Sequence, residues 1–244
     1  MLSQTHTDSF ERGCSFLDTS VIIVAAGNST RMQGTDKQIA EVGGMPVIAR
    51  SMLAFEKCES VAEIVVVTRE DIIEKIKSLA AEYGVSKLKN VVKGGKTRQE
   101  SVINGLHAVS DSTQMIAVHD GARPLVEPEH IERTIKDARV FGGAVLGVPV
   151  KDTIKVVDGG LIMDTPPRSS LYITQTPQVF KRSLYNRGVE FATRNFLDFT
   201  DDCQMAEAVG AKVCMTTGDY RNIKITTPED IAIAEAILSA NGGK

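Results

Sequence analysis

The sequence predicts an α/β domain in which a mostly parallel sheet carries helices on both faces. Short continuous runs of β-prone apolar residues, Val21–Val24 and Ala62–Thr68, alternate with segments of helical spacing, Pro46–Phe55 and Asp71–Tyr83. Loops rich in small and polar residues follow the strands, at the carboxyl ends where open α/β sheets bind ligands. A chain of 244 residues with 42% hydrophobic content can bury one large core. One domain over residues 20–244 is therefore expected, after a polar, aperiodic and disordered tail over residues 1–19 that carries His6 and Cys14.

The first strand sets the chemistry. Ala25, Ala26 and Gly27 follow it, and such small residues leave backbone N–H groups uncovered. The loop beyond carries Arg31 and Lys37, two cations spaced to reach one phosphate chain from different sides, so the stretch reads as a nucleoside triphosphate site. Spacing excludes two other phosphate loops. A dinucleotide fingerprint needs glycine where Ser29 and Met32 stand, and a P-loop ending at Gly95-Lys96-Thr97 needs glycine at Asn90.

Further along, Val47, Ile48, Met52 and Phe55 mark a helix face, as do Ile72, Ile73, Ile76, Leu79, Ala80 and Tyr83, with Gly84 placed to end the second helix. Val91 and Val92 lead into Gly94-Gly95, and Thr97…Glu100 has the form of a capping box before Val102, Ile103, Leu106 and Val109. A glycine-rich turn opening a helix is a second anion or base pocket, and Ser101 is read either as a nucleotide contact or as part of a cap. Met115–Val118 is a strand ending in His119-Asp120-Gly121-Ala122-Arg123-Pro124. There Asp120 can accept ligand hydroxyls or hold a water of a metal shell, whereas His119 reads as a core or supporting residue.

Ile131–Phe141 is a helix and Gly143–Val150 a strand. Thr153–Met163 then alternates about Asp158-Gly159-Gly160, the signal of an inserted β-hairpin, which is marginal alone and must pack on something. Thr174–Val179 returns to the sheet, Lys181–Phe191 is helical, Thr200 is expected to cap a helix ending near Gly210, and Lys212–Thr216 is a strand. Asn222–Ile225 carries Lys224 into the site, and Thr227-Pro228 opens the closing helix.

Composition narrows the function classes. A net charge of −3 with scattered Lys and Arg argues against a nucleic-acid surface, and no apolar run nears the roughly 18 residues of a membrane span, so no membrane partner is expected. Cys14, Cys58, Cys203 and Cys214 lack CxxC or zinc-like spacing, which points to reduced thiols in a cytoplasmic protein.

The strand, Ala25-Ala26-Gly27, Arg31-Met32, Lys37-Gln38 and Gly44-x-Pro46 resemble the signature of nucleotidyltransferases that couple a sugar or polyol phosphate to a nucleoside triphosphate. Six later segments narrow this: Gly94–Val102, His119–Pro124, Pro149–Lys155, Thr174–Phe180, Thr200–Asp202 and Asn222–Asp230. Over Ser20–Leu238 the chain is similar to the 2-C-methyl-D-erythritol 4-phosphate cytidylyltransferases of the non-mevalonate isoprenoid pathway. The resemblance implies a Rossmann-like fold of nucleotidyltransferase type and transfer of CMP from CTP to the polyol phosphate, with Mg²⁺. It also implies a homodimer embracing through the β-arm at about 151–173.

By resemblance, the catalytic residues are Arg31, Lys37, Arg168 and Lys224. Nucleotide contacts fall to Ala25, Ala26, Gly27, Gly95, Lys96, Ser101, Asp120, Gly121 and Arg123. Polyol contacts fall to Asp120, Thr153, Arg168, Thr176, Thr200 and Lys224, and no metal ligand is assigned. These residue types suit the chemistry: an attacking phosphate is already an anion, so charge repulsion and alignment, rather than deprotonation, are the obstacles. Three departures stand out. Asp36 replaces a common proline and is expected to loosen the loop of Lys37, Arg221 stands where some members have aspartate, and Lys96 where some have an acid. Two alternatives remain at this level: a sister enzyme using ribitol 5-phosphate, and a catalytically silent nucleotide-binding protein.

Overall fold

The computed structural model describes residues 17–32 and 36–240. β1 (Thr19–Ala25) leads into a single 3₁₀ turn (Thr30–Met32), a short ribbon of β2 (Glu41–Val42) and β3 (Met45–Pro46), and α1 (Val47–Glu56). β4 (Val61–Thr68), α2 (Ile73–Glu82), β5 (Leu88–Lys93) and α3 (Arg98–Leu106) continue the alternation, then β6 (Met115–Asp120), α4 (Pro128–Phe141) and β7 (Gly143–Pro149). β8 (Val156–Asp158), β9 (Leu161–Asp164), β10 (Tyr172–Lys181), α5 (Arg182–Arg194), α6 (Asp202–Ala208), β11 (Cys214–Thr217) and α7 (Pro228–Ala240) complete it.

Seven strands form one sheet in the order β11-β7-β10-β6-β1-β4-β5. β1 is parallel to β4 and β6, β4 to β5, and β11 to β7, while β10 runs antiparallel to both neighbours. The period of two sorts each strand onto two faces. Val21, Ile23 and Ala25 pack with Ile48, Met52 and Phe55 of α1, Ile76 of α2 and Ile131 of α4. Ile22, Val65 and Val67 cluster on the other face with Val102 and Leu106 of α3 and Leu184 and Tyr185 of α5. Burial from both sides is why these strands read as unbroken apolar runs. Helix ends follow their local chemistry: Gly84 (φ 70°) terminates α2 with Val85 N donating to Ala80 O at 2.8 Å, and α4 starts at Pro128 and stops at Gly142 (φ 91°).

A third, smaller cluster of Met32, Val42, Val47, Ala122, Ile225 and Ala234 pins the turn that bears Arg31 against the segment that bears Lys224. Ile225 N also donates to Ala122 O at 2.8 Å.

The hairpin forms as its own sheet, Asp158 pairing with Leu161 across Gly159 (φ 55°) and Gly160 (φ 82°). Both turn residues have left-handed φ, the requirement of a tight primed turn. Three local expectations need correction. Thr19 belongs to β1 rather than the tail, buried with its N donating to Ser60 O at 3.2 Å; residues 1–16, with His6 and Cys14, lie outside the described residues. The cap of α6 is Asp201, whose carboxylate accepts from Gln204 N at 3.0 Å, whereas the Thr200 hydroxyl meets Gln204 Oε1. The capping box is half formed: Thr97 Oγ1 accepts from Glu100 N at 3.1 Å, but Glu100 Oε2 accepts from Lys96 N at 2.6 Å instead of Thr97 N.

α3 packs close on the sheet because Gly105 has no side chain. A Cβ there would sit 2.5 Å from Ile22 Cγ2 and 2.8 Å from Val67 Cγ2. Gly105→Ala should therefore lower stability in equilibrium urea unfolding, by about 1–3 kcal/mol of overpacking, and an unchanged midpoint would show that the helix shifts freely.

Candidate active site

The carboxyl ends of β1, β4, β5 and β6 open on one rim, and β10, being antiparallel, brings Thr176 to it. A cleft of about 380 Å³ lies there. Its walls are Ala26, Gly27 and Asn28 after β1, Lys37 and Gln38, Gly95–Arg98 and Ser101 at the start of α3, Asp120 and Ala122 after β6, and Lys224.

Close backbone approach builds the wall. A Cβ on Gly94 would meet Ala26 Cβ at 2.4 Å, so this glycine lets the turn before α3 touch the loop after β1. Ser101 Oγ donates to Thr97 O at 2.9 Å and accepts from Gly95 N at 3.0 Å, which shapes the glycine turn. Ser101 thus holds the turn and also lines the cleft.

Asp120 is the electrostatic centre. Its carboxylate is 2.8 Å from Lys224 Nζ, 3.6 Å from Arg123 Nε and 3.7 Å from Arg98 Nε. Burial alone would raise this carboxyl, but Lys224, then Arg98 and Arg123, hold it well below the usual carboxylate range. Lys37 is lowered, first by burial and then by the charge of Lys224, with Arg31 adding to the effect and Asp120 opposing it. Arg98 also pairs with the buried Asp202 at 2.7 Å, and Tyr185 donates to the other oxygen of Asp202 at 2.6 Å. Cations therefore outnumber carboxylates at the cleft, which is what a triphosphate requires.

Of the expected residues, the rim gathers Ala26, Gly27, Lys37, Gly95, Lys96, Ser101, Asp120 and Lys224. Arg31 is exposed on its turn beside Lys37. Ala25 lies within β1 with its side chain in the core. Gly121 N donates to Val24 O and Gly121 O accepts from Ser51, so its polar groups serve the fold. Arg123 donates to Asn222 O at 2.7 Å, tethering the Lys224 segment, and Thr176 Oγ1 accepts from Asp120 N at 3.1 Å. Thr153, Arg168 and Thr200 are exposed and outside the cleft; Arg168 Nη1 donates to Lys151 O at 2.7 Å.

Four contributors received no role from the sequence: Arg98, Asp202, Gln38 and Asn222. All sit inside segments already conspicuous by pattern, but nothing in spacing says that Arg98 spans Asp120 and Asp202. Gln38 and Asn222 are buried with Gln38 Oε1 and Asn222 Oδ1 unpaired. Two of the three departures have charged partners. Asp36, expected to loosen its loop, accepts from Gln38 N at 3.0 Å and pairs with Arg69 at 2.6 Å. Arg221 pairs with Asp219 and Glu127, which keeps that loop's acid engaged. Among the described residues no three His, Cys, Asp or Glu side chains group as a metal site.

This mostly parallel sheet carries a cation-rich cleft at the carboxyl ends of its strands, the place and the charge that suit a phosphorylated ligand. The family model described as 2-C-methyl-D-erythritol 4-phosphate cytidylyltransferase matches residues 19–240, and the chain belongs to that family. Relatives of that name from Halalkalibacterium halodurans and Caldanaerobacter subterraneus are 42% and 44% identical, covering 91% of this chain and 98% and 99% of theirs. A crystal structure of 4-diphosphocytidyl-2C-methyl-D-erythritol synthase from Anaerococcus prevotii superposes with a TM-score of 0.82 at 33% identity, covering 91% of this chain and 98% of that one. The 2-C-methyl-D-erythritol 4-phosphate cytidylyltransferase of Thermus thermophilus gives a TM-score of 0.73 at 30% identity, covering 91% and 99%.

His119 supports the site from behind. Fully buried against Phe55, it meets Thr176 Oγ1 through Nδ1 at 3.0 Å and Arg123 O through Nε2 at 3.3 Å, and burial pushes it from 6.5 down to about 4. The unfolded chain thus takes up a proton as pH falls below 6.5 while the folded protein does not, so stability declines across the window from 6.5 to about 4. In urea unfolding at stepped pH, His119→Gln should flatten that decline between pH 6.5 and 5. An unaltered slope would assign it to other groups.

Proposed function

We propose that the chain transfers the cytidylyl group of CTP to 2-C-methyl-D-erythritol 4-phosphate, giving 4-diphosphocytidyl-2-C-methyl-D-erythritol and pyrophosphate, a step of isoprenoid precursor synthesis. The observation that carries this reading is the gathering of Lys37 and Lys224 about Asp120 in a cleft walled by glycine-rich backbone. The names of the relatives favour this acceptor over ribitol 5-phosphate, and favour an enzyme over a silent binder.

The polyol phosphate oxygen attacks the α-phosphorus in line, and the P–O bond to the pyrophosphate leaving group breaks. No base is needed, because the attacking group is already ionised. What the protein supplies is fixed positive charge. Lys37, partly desolvated and crowded by Lys224 and Arg31, gains more from an arriving phosphate than a solvated lysine would. Lys224 is held by Asp120 at the wall and is read here as steadying the incoming phosphate. Mg²⁺ fits as an ion carried mainly by the triphosphate, since among the described residues Asp120 is the one carboxylate lining the cleft; when bound it would neutralise phosphate charge.

Thr153 and Arg168 lie outside their own chain's cleft, and the hairpin presents Val156, Val157, Leu161, Ile162 and Met163, each exposed. Covering a fully exposed side chain of this kind is worth roughly 1.5–3 kcal/mol, an upper bound for these partly covered ones. We read the hairpin as the arm of a homodimer that carries Arg168 and Thr153 to the neighbouring subunit's polyol phosphate. Cys58, Cys203 and Cys214 are free thiols, which fits a cytoplasmic enzyme, and among the described residues no helix is long and apolar enough to cross a membrane.

Incubation with CTP, Mg²⁺ and each polyol phosphate in turn, scored by pyrophosphate release, tests the reading. Turnover with 2-C-methyl-D-erythritol 4-phosphate and little with ribitol 5-phosphate is expected; the reverse preference would overturn it. Lys37→Ala should cut kcat by about a hundredfold or more, as loss of a preorganised charge of roughly 3 kcal/mol demands, with the unfolding midpoint retained. Arg168→Ala should raise KM for the polyol phosphate while KM for CTP stays near normal. An effect confined to CTP would reassign Arg168.

A further inference from the structure

We propose that Arg69 is a positioning residue that fixes the Lys37 loop by clamping Asp36. The proposal rests on reading Lys37 as a triphosphate-binding cation. Arg69 follows β4 directly, at the same rim as the cleft. Its Nη2 meets Asp36 Oδ2 at 2.6 Å, its Nε and Nη2 meet Asp71 at 3.1 and 3.2 Å, and its Nη1 lies 3.5 Å from Gly27 O. One guanidinium thus holds both arms of the phosphate loop, the amide-bearing turn at Gly27 and the turn that presents Lys37.

Asp36 passes the constraint inward. It accepts from Gln38 N at 3.0 Å and from Ser29 Oγ at 3.4 Å, while Ser29 Oγ accepts from Lys37 N at 3.3 Å. Ser29 has φ 51°, a conformation that a non-glycine residue keeps only where its surroundings enforce it. Apolar packing does little here, as among the described side chains of Asn28–Met32 the loop sends Met32 alone into a core cluster. Lys37 meanwhile faces repulsion from Lys224 and Arg31, which would push an untethered loop outward. The planar fork of arginine is suited to bind two carboxylates and a carbonyl at once, and lysine is not.

The test compares wild type with Arg69→Met, Arg69→Lys, Asp36→Asn and the Asp36→Asn/Arg69→Met double variant. Kinetics are measured with each substrate varied in turn, together with hydrogen exchange at the Lys37 and Gln38 amides and urea unfolding. Arg69→Met should lower kcat/KM for CTP at least tenfold, leave KM for the polyol phosphate within twofold, keep the unfolding midpoint, and deprotect the Gln38 amide. Arg69→Lys should recover part of the loss, and the double variant should be no worse than the poorer single one, as members of one network behave. A kcat/KM within twofold of wild type, equal loss for both substrates, or additive losses would overturn the clamp. If the wild type turns over no polyol phosphate, the reading of function fails instead. The clamp is then judged by the Gln38 amide alone, and protection unchanged in Arg69→Met would overturn it.

Discussion

The carboxylate of Asp120 is the point on which the rest of the site depends. It ends the central strand β6, and Lys224, Arg123 and Arg98 converge on it from three separate stretches of chain. Lys224 arrives from the segment before α7, Arg123 from the turn after β6, and Arg98 from the first position of α3. Without a buried anion these cations would repel one another at close range. With it they form an array whose net charge is still positive, held open toward solvent. A buried charge without partners is costly, so each member of the array is also a reason for the others to stay.

That convergence is possible because the backbone comes unusually close at a few positions. Gly94 lets the turn before α3 rest on Ala26, and Gly105 lets α3 lie down on Ile22 and Val67. Gly121, packed against Gln38 and Ile48, lets the turn after β6 slide under the Lys37 loop. On the other side, Met32 and Ile225 share one small apolar cluster, so the Arg31 turn and the Lys224 segment are fixed by packing although both bear charge. The geometry of the charged groups is thus set by uncharged neighbours.

These two layers differ in how legible they are. The sheet was readable because a strand buried on both faces must be an unbroken β-branched run, as Val21–Val24 and Val65–Val67 are. The hairpin was readable because Asp158-Gly159-Gly160 admits a turn that other residues resist. Lys37, Asp120 and Lys224 could be named from motifs, yet the link from Arg98 to both Asp120 and Asp202 joins residues 104 apart in sequence, which no local pattern encodes. Asp36 shows the same limit from the other direction. Its local reading, loss of a stiffening proline, is sound as far as it goes. It misses Arg69, 33 residues away, whose guanidinium pairs with Asp36. The α6 cap erred by one residue for a smaller reason, since Thr200 and Asp201 are both good caps and only the path of the chain decides between them.

A site with surplus positive charge and unpaired polar atoms at Gln38 and Asn222 is not arranged for stability. Each such feature weakens the free protein, and it persists because the sheet and its two apolar layers over-determine the positions around it. The same surplus becomes favourable when a polyanion enters, since charge that was mutually repelling then has a counterpart. The hairpin follows a parallel logic at a larger scale. Exposed apolar residues on two short strands are unfavourable in a lone chain, and they become an asset if a second subunit covers them. Surplus charge in the cleft and exposed apolar side chains on the hairpin are both features that favour contact with something else, and the sheet buried on two faces tolerates them.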